Sequence, residues 1–146
     1  MCILFWALQQ HPRYRFVFCS NRDEYLARPT APASFWDTSK TVYGGRDLLY
    51  PDENGTWLGV STSGQFAAMT NYREPAPPTR ISRGVLVRDY LLGHASPLEY
   101  TRQLKTRGEA FNGFSLVCVD LVSENMAYVS NREESTVISL SEGQVY

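Results

Sequence analysis

The sequence predicts an α+β fold in which helices pack on antiparallel sheet. Short apolar runs bounded by turn residues open and close the chain, and two capped helical patterns lie between them. The aromatic content of 13% suits a sheet-rich core. No internal repeat or low-complexity tract interrupts this order of strands, helices and strands. At 146 residues the chain fits one domain, 1–146, long enough to bury a real core.

The elements follow in order. Residues 2–8 and 15–20 read as buried strands joined through His11-Pro12-Arg13 into a hairpin. Arg28-Pro29-Thr30-Ala31-Pro32-Ala33 holds two prolines and reads as an ordered loop, docked by Phe35-Trp36. Thr41-Val42-Tyr43 is a short extended piece ended by Gly44-Gly45-Arg46-Asp47. Pro51-Asp52-Glu53-Asn54-Gly55 is a turn. Residues 57–61 and 65–71 form a second hairpin around Thr62-Ser63-Gly64. Pro75-Ala76-Pro77-Pro78 is a stiff loop. Ser82 is placed to cap a helix carrying Val85, Leu86, Tyr90 and Leu91, with Gly93 near its end. Ser96-Pro97 starts a second helix carrying Leu98, Tyr100, Thr101 and Leu104, and Gly108 stops it. Residues 114–120, 127–131 and 136–140 complete the strands. The chain then ends at Gly143-Gln144-Val145-Tyr146, just after a strand, which points to a missing second half.

Composition narrows the function classes. A net charge of -1 gives no electrostatic reason for a nucleic-acid partner or an anionic membrane. No apolar stretch reaches bilayer-spanning length, and no positive n-region precedes the apolar start, which argues against a secretory signal. Three widely spaced cysteines, Cys2, Cys19 and Cys118, form neither a disulfide framework nor a zinc site. The compartment reads as reducing. Cys19 and Cys118 read as buried structural thiols, and His11 and His94 as solvated.

The chemistry centres on Cys2 and on Asn21-Arg22-Asp23-Glu24, which the first hairpin brings together. Initiator Met is normally removed before a small residue such as Cys. Cys2 would then carry both a thiol and a free α-amine, and an α-amine titrating near ~8 is a usable base. One residue would supply nucleophile and base together. A nearby cation favours a thiolate, and Arg22, or less directly Arg46, can provide it. Asp23 can hold the ammonium or orient the amine. Asn71, at a strand end, is the candidate oxyanion donor. Asn21, Glu24, Arg46, Trp57 and Tyr72 are candidate substrate contacts, with core packing the commoner meaning of Trp57 and Tyr72. The alternative stays open: Cys2 as a small buried hydrophobe, with the acidic-basic cluster as a salt-bridged turn, is the commoner meaning of such spacing. Arg80, Arg83 and Arg88 read as a solvated helical face, or as a helix start able to meet a phosphate.

Met1-Cys2-Ile3, Asn21-Arg22-Asp23-Glu24, Arg28-Pro29, Gly55-Thr56-Trp57-Leu58-Gly59, Thr70-Asn71-Tyr72, Ser82-Arg83-Gly84 and Asn112-Gly113-Phe114 occur in this order. Together they resemble the NRDE family, also called the transport and Golgi organization protein 2 family, from residue 1 to about residue 131. The resemblance implies an N-terminal nucleophile hydrolase-like fold, a four-layer αββα sandwich, of which this chain holds mainly the N-terminal half. It implies Cys2 as nucleophile and base, Arg22 and Asp23 as its neighbours, and Asn71 as oxyanion donor. It also implies a role in secretory-pathway and Golgi organisation or membrane-lipid homeostasis, in the cytoplasm with Golgi or mitochondrial association. If catalytic, the protein cleaves a small-molecule amide and needs no cofactor. The alternative is a non-enzymatic carrier of haem or an acyl-lipid. An incomplete sandwich would expose apolar sheet and favour a homo-oligomer.

Overall fold

The computed structural model describes residues 2–38, 40–75, 81–132 and 137–140. Within these residues the fold has three layers: two helices, a seven-stranded antiparallel sheet, and a separate two-stranded hairpin. The hairpin pairs β1 (Leu4–Leu8) with β2 (Phe16–Ser20), Leu4 opposite Ser20 and Leu8 opposite Phe16. The large sheet is a meander of β3 (Thr30–Phe35), β4 (Val42–Asp47), β5 (Leu58–Ser61), β6 (Gln65–Asn71), β7 (Phe114–Asp120), β8 (Asn125–Ser130) and β9 (Val137–Leu140). Helices α1 (Gly84–Leu92) and α2 (Pro97–Arg107) are inserted between β6 and β7.

Side-chain alternation along β6 and β7 explains the layering, because successive residues point to opposite faces. Ala67, Leu116 and Cys118 face the helices and join Leu86, Val87, Leu91 and Leu104 in one core. Phe66, Ala68, Val117 and Val119 face the hairpin and meet Leu4, Trp6, Leu8, Phe16 and Phe18 in a second. Phe66 lies between Phe16 and Phe18, with ring centroids at 5.0 and 4.7 Å. Fully burying a side chain of this size is worth ~1.5–3 kcal/mol, so the aromatic cluster is the main adhesive between hairpin and sheet. On the other side Tyr90 is buried, and its hydroxyl donates to Val119 O at 3.1 Å. That desolvation pushes the Tyr90 phenol well above its usual range.

The structure departs from the sequence reading at several elements. The expected loop through Thr30-Ala31-Pro32-Ala33 is strand β3. It lies at the edge of the sheet, and its register slips between Ala31 and Ser34, so Pro32 has no ladder position to break. Gly44 and Gly45 do not end a strand; β4 runs through them. A Cβ on Gly44 would lie 2.7 Å from Leu58 O, and one on Gly45 3.0 Å from the Trp57 ring, so both glycines serve close packing. Residue 83, not Ser82, occupies the cap position of α1, and the Ser82 hydroxyl accepts from Gly84 N at 3.4 Å. Ser96 and Glu99 form the full capping box that starts α2. Gly108 stays in helical conformation and leads into a 3-10 turn, Gly108–Ala110. Cys118 is buried as expected, but Cys19 is exposed on the outer face of the hairpin. The proline-rich loop beyond Pro75, Arg80 and the segment from Gly143 lie outside the described residues.

Helix α1 is anchored to the β4–β5 connection at a glycine pair. Thr56 N donates to Gly84 O at 3.0 Å, and a Cβ on Gly84 would lie 2.9 Å from Gly55 Cα and 3.1 Å from Thr56 N. Both obstacles are backbone and cannot rotate away. Gly84→Ala is therefore expected to cost about 1–3 kcal/mol, as overpacked sites do. Thermal unfolding should show a midpoint lowered by ~2–8 °C, and an unchanged midpoint would show that the two segments part freely.

Candidate functional site

The open end of the hairpin faces the ends of β5 and β6 and the start of α1. A cleft of about 430 Å³ lies between them. Cys2, Arg22, Asp23 and Asn71 all line it, as do Asn21, Glu24 and Trp57. Arg46 and Tyr72 do not. Arg46 instead donates to Asn54 Oδ1 at 3.2 Å, and the Tyr72 backbone is tied to Gly113, its N donating to Gly113 O at 2.9 Å.

Local hydrogen bonds build the cysteine end. The β1–β2 register sets Leu4 opposite Ser20, so the residues just beyond each strand stay adjacent. Ile3 N donates to Asn21 Oδ1 at 2.7 Å. Asp23 N donates to Cys2 Sγ at 3.4 Å, which fixes the half-buried thiol against the Asn-Arg-Asp-Glu turn. The Asp23 carboxylate meets Arg73 at 2.9 Å. Arg22 lies over the face of Trp57, 4.5 Å from the ring centroid, a cation–π contact that holds the guanidinium at the cleft. Asn71 ends β6 opposite Phe114.

Apart from Arg83, offered by the sequence as part of a possible phosphate-binding helix start, the rest of the cleft is not among the expected site residues. Arg28 grips Asp47 through Nε at 3.2 Å and Nη2 at 2.5 Å, and it reaches Glu24 at 3.6 Å. The hydrogen bond to Asp47 raises the Arg28 guanidinium above its usual value, against partial desolvation. This pair ties the Asn-Arg-Asp-Glu turn to the end of β4. Arg28-Pro29 was visible as a motif, but its partner Asp47 stands nineteen residues away and nothing in the sequence links them. Arg83 is half-buried rather than part of a solvated face. It donates to Gly113 O at 2.8 Å and Tyr72 O at 3.4 Å, and desolvation lowers its guanidinium from the usual value. His11 lies in the hairpin turn, where its Nδ1 accepts from Arg13 N and Tyr14 N. Among the described residues no group of three His, Cys, Asp or Glu side chains could hold a metal ion, and no helix is long and apolar enough to cross a membrane.

With the geometry in view, comparison with known proteins places the chain. A protein of this class, an α+β fold with a cysteine-bearing cleft at its N-terminus, matches the family model described as Transport and Golgi organisation 2 over residues 1–146. The chain belongs to that family. It is 36% identical over 151 aligned residues to the Transport and Golgi organization protein 2 homolog of Bos taurus, covering 98% of this chain and 55% of that protein. The Homo sapiens homolog is likewise 36% identical with the same coverage. The Transport and Golgi organization protein 2 of Drosophila melanogaster is 34% identical over 133 residues, covering 84% of this chain and 47% of that one. The chain thus spans about half the length of the relatives it matches.

Two of the ion pairs at the cleft, Arg28–Asp47 and Arg73–Asp23, differ in exposure, and stability should reveal it. The Arg28 and Asp47 side chains are 25% and 13% exposed, whereas Arg73 is 78% exposed. Removing Arg28 leaves the Asp47 carboxylate in a half-dry site with Leu49 N–H but without its guanidinium donors, a loss of about 1.5–3 kcal/mol for hydrogen bonds to charged groups. Arg73→Ala should cost under ~1 kcal/mol, as surface pairs do. Urea unfolding of Arg28→Ala and Arg73→Ala checks this; equal midpoints would remove the structural role assigned to Arg28.

Proposed function

We propose that this chain supplies the nucleophile-bearing half of a cysteine amidohydrolase site, in a protein that serves the secretory pathway and Golgi organisation. The carrying observation is the Cys2 thiol held in the wall of a polar cleft by Asp23 N–H, with Asn71 on the same cleft. The layer order of helices, sheet and hairpin supports an N-terminal nucleophile hydrolase-like sandwich. Ile3, Phe5 and Val17 are exposed on the outer face of the hairpin, which fits a fold where further structure or a second copy packs there. The relatives named for transport and Golgi organisation support that cellular role.

In this mechanism, loss of Met1 exposes the Cys2 α-amine. The amine takes the thiol proton as sulfur attacks the amide carbon. The carbonyl oxygen becomes an oxyanion, and the Asn71 amide donates to it. Collapse breaks the C–N bond, and the ammonium returns its proton to the leaving amine. Water then hydrolyses the thioester by the same route reversed. The charged lining of the cleft favours a polar amide over a bound acyl chain or haem.

Intact mass and thiol labelling test the proposal. Met1 should be absent from natively expressed protein. Cys2 should label at least tenfold faster than exposed Cys19, while Cys118, buried and with its thiol pushed well up by desolvation, should label only after unfolding. Retained Met1, or Cys2 labelling no faster than Cys19, would overturn the nucleophile role.

A further inference from the structure

After the cleft's ion pairs are assigned, groups of both kinds are left over. The Asp23, Glu24 and Asp47 carboxylates are each matched with an arginine. Arg83 is not: among the described residues it bonds only to two backbone carbonyls, both through Nη1. On the acceptor side, Glu53 Oε2 and Asn112 Oδ1 are buried and accept no hydrogen bond from the described residues. All three residues line the same cleft. They are brought together by the start of α1. On one side, Gly84 touches Gly55, and Arg88 donates to the Glu53 carbonyl. On the other, Ile81 bridges to Phe111, and Arg83 reaches Gly113 O.

Buried acceptors without donors cost ~1–3 kcal/mol each, and native structures rarely keep them without a use. A guanidinium with N–H groups to spare on the same cleft as such acceptors matches a small group that carries an anionic oxygen and N–H donors together. We propose that Arg83, Asn112 and Glu53 form a headgroup subsite for an amino-acid moiety, with the carboxylate on Arg83, the N–H groups of a free α-ammonium on Asn112 Oδ1 and Glu53 Oε2, and the single N–H of an N-acyl form on Asn112 Oδ1. This deepens the amidohydrolase reading and rests on it for the fate of the bound molecule: the substrate would be an N-acyl amino acid, with Cys2 at its amide carbon. Binding itself is independent of Cys2.

The test is titration of the purified full chain with the twenty L-amino acids and, for any that bind, with the matching C-terminal amide and N-acetyl derivative. At least one amino acid should bind saturably. Amidation should weaken it tenfold or more, and Arg83→Gln should weaken the free acid and erase that difference. Glu53→Gln should weaken the free amine form more than the N-acetyl form. Arg83→Lys, which keeps the charge, provides a second variant should Arg83→Gln fail to fold, and it should retain part of the acid preference. Absence of binding by all twenty, or binding indifferent to amidation and to both substitutions, overturns the subsite. Cys2→Ala should bind as the parent does. Its retained binding beside a failed labelling test would reject the nucleophile and keep the subsite, and the reverse pattern would do the opposite.

Discussion

The contact of Phe16 and Phe18 with Phe66 governs the arrangement of everything else. The hairpin shares no ladder hydrogen bonds with the seven-stranded sheet. Apolar burial therefore supplies most of what holds the two layers face to face, with Arg15 and Gln9 of the hairpin bonding to Leu121 O and Glu124 at its turn end, and such burial is strong but non-directional. Direction comes from polar ties at the open end. Arg28 joins the turn after β2 to Asp47 at the end of β4, and Arg73 reaches Asp23. The layers supply the energy and the ion pairs supply the alignment, so that Cys2 on one layer and Asn71 on the other line a common cleft.

The glycines show how closely the remaining walls must approach. Gly55 and Gly84 allow the start of α1 to sit on the β4–β5 connection, and Gly45 allows Trp57 to lie flat beneath Arg22. A side chain at any of these positions would push a wall of the cleft away. The motifs around Gly55 and Gly84 that resemble the family pattern therefore mark backbone contacts as much as chemistry.

Much of the architecture was legible in the chain, and the errors have physical causes. Apolar runs with turn signals located β1, β2, β5 to β9 and both helices, because periodicity reports which face is buried. The β3 edge strand was missed because Pro32 argues against a ladder, and only position in a sheet shows that an edge tolerates it. Gly44 and Gly45 read as a terminator because local propensity cannot see a tryptophan ring across a sheet. Arg83 read as solvated because helix-start spacing carries no information about which neighbours cover it. Arg46 and Tyr72 were expected at the cleft from their charge and ring alone; Arg46 bonds to Asn54 instead, and neither residue lines the cleft.

The sequence by itself determined the α+β class, the hairpin that brings Cys2 beside Asn21-Arg22-Asp23-Glu24, and the family to which the ordered motifs belong. These are local or linear properties: strand periodicity, turn chemistry and motif order survive in one dimension. The tertiary structure alone decided the Arg28–Asp47 tie, the half-burial of Arg83 and the orphaned acceptors of Glu53 and Asn112. Each of these depends on residues far apart in the chain meeting in a desolvated place. Burial and pairing are properties of neighbours in space, which the order of residues encodes only through the fold.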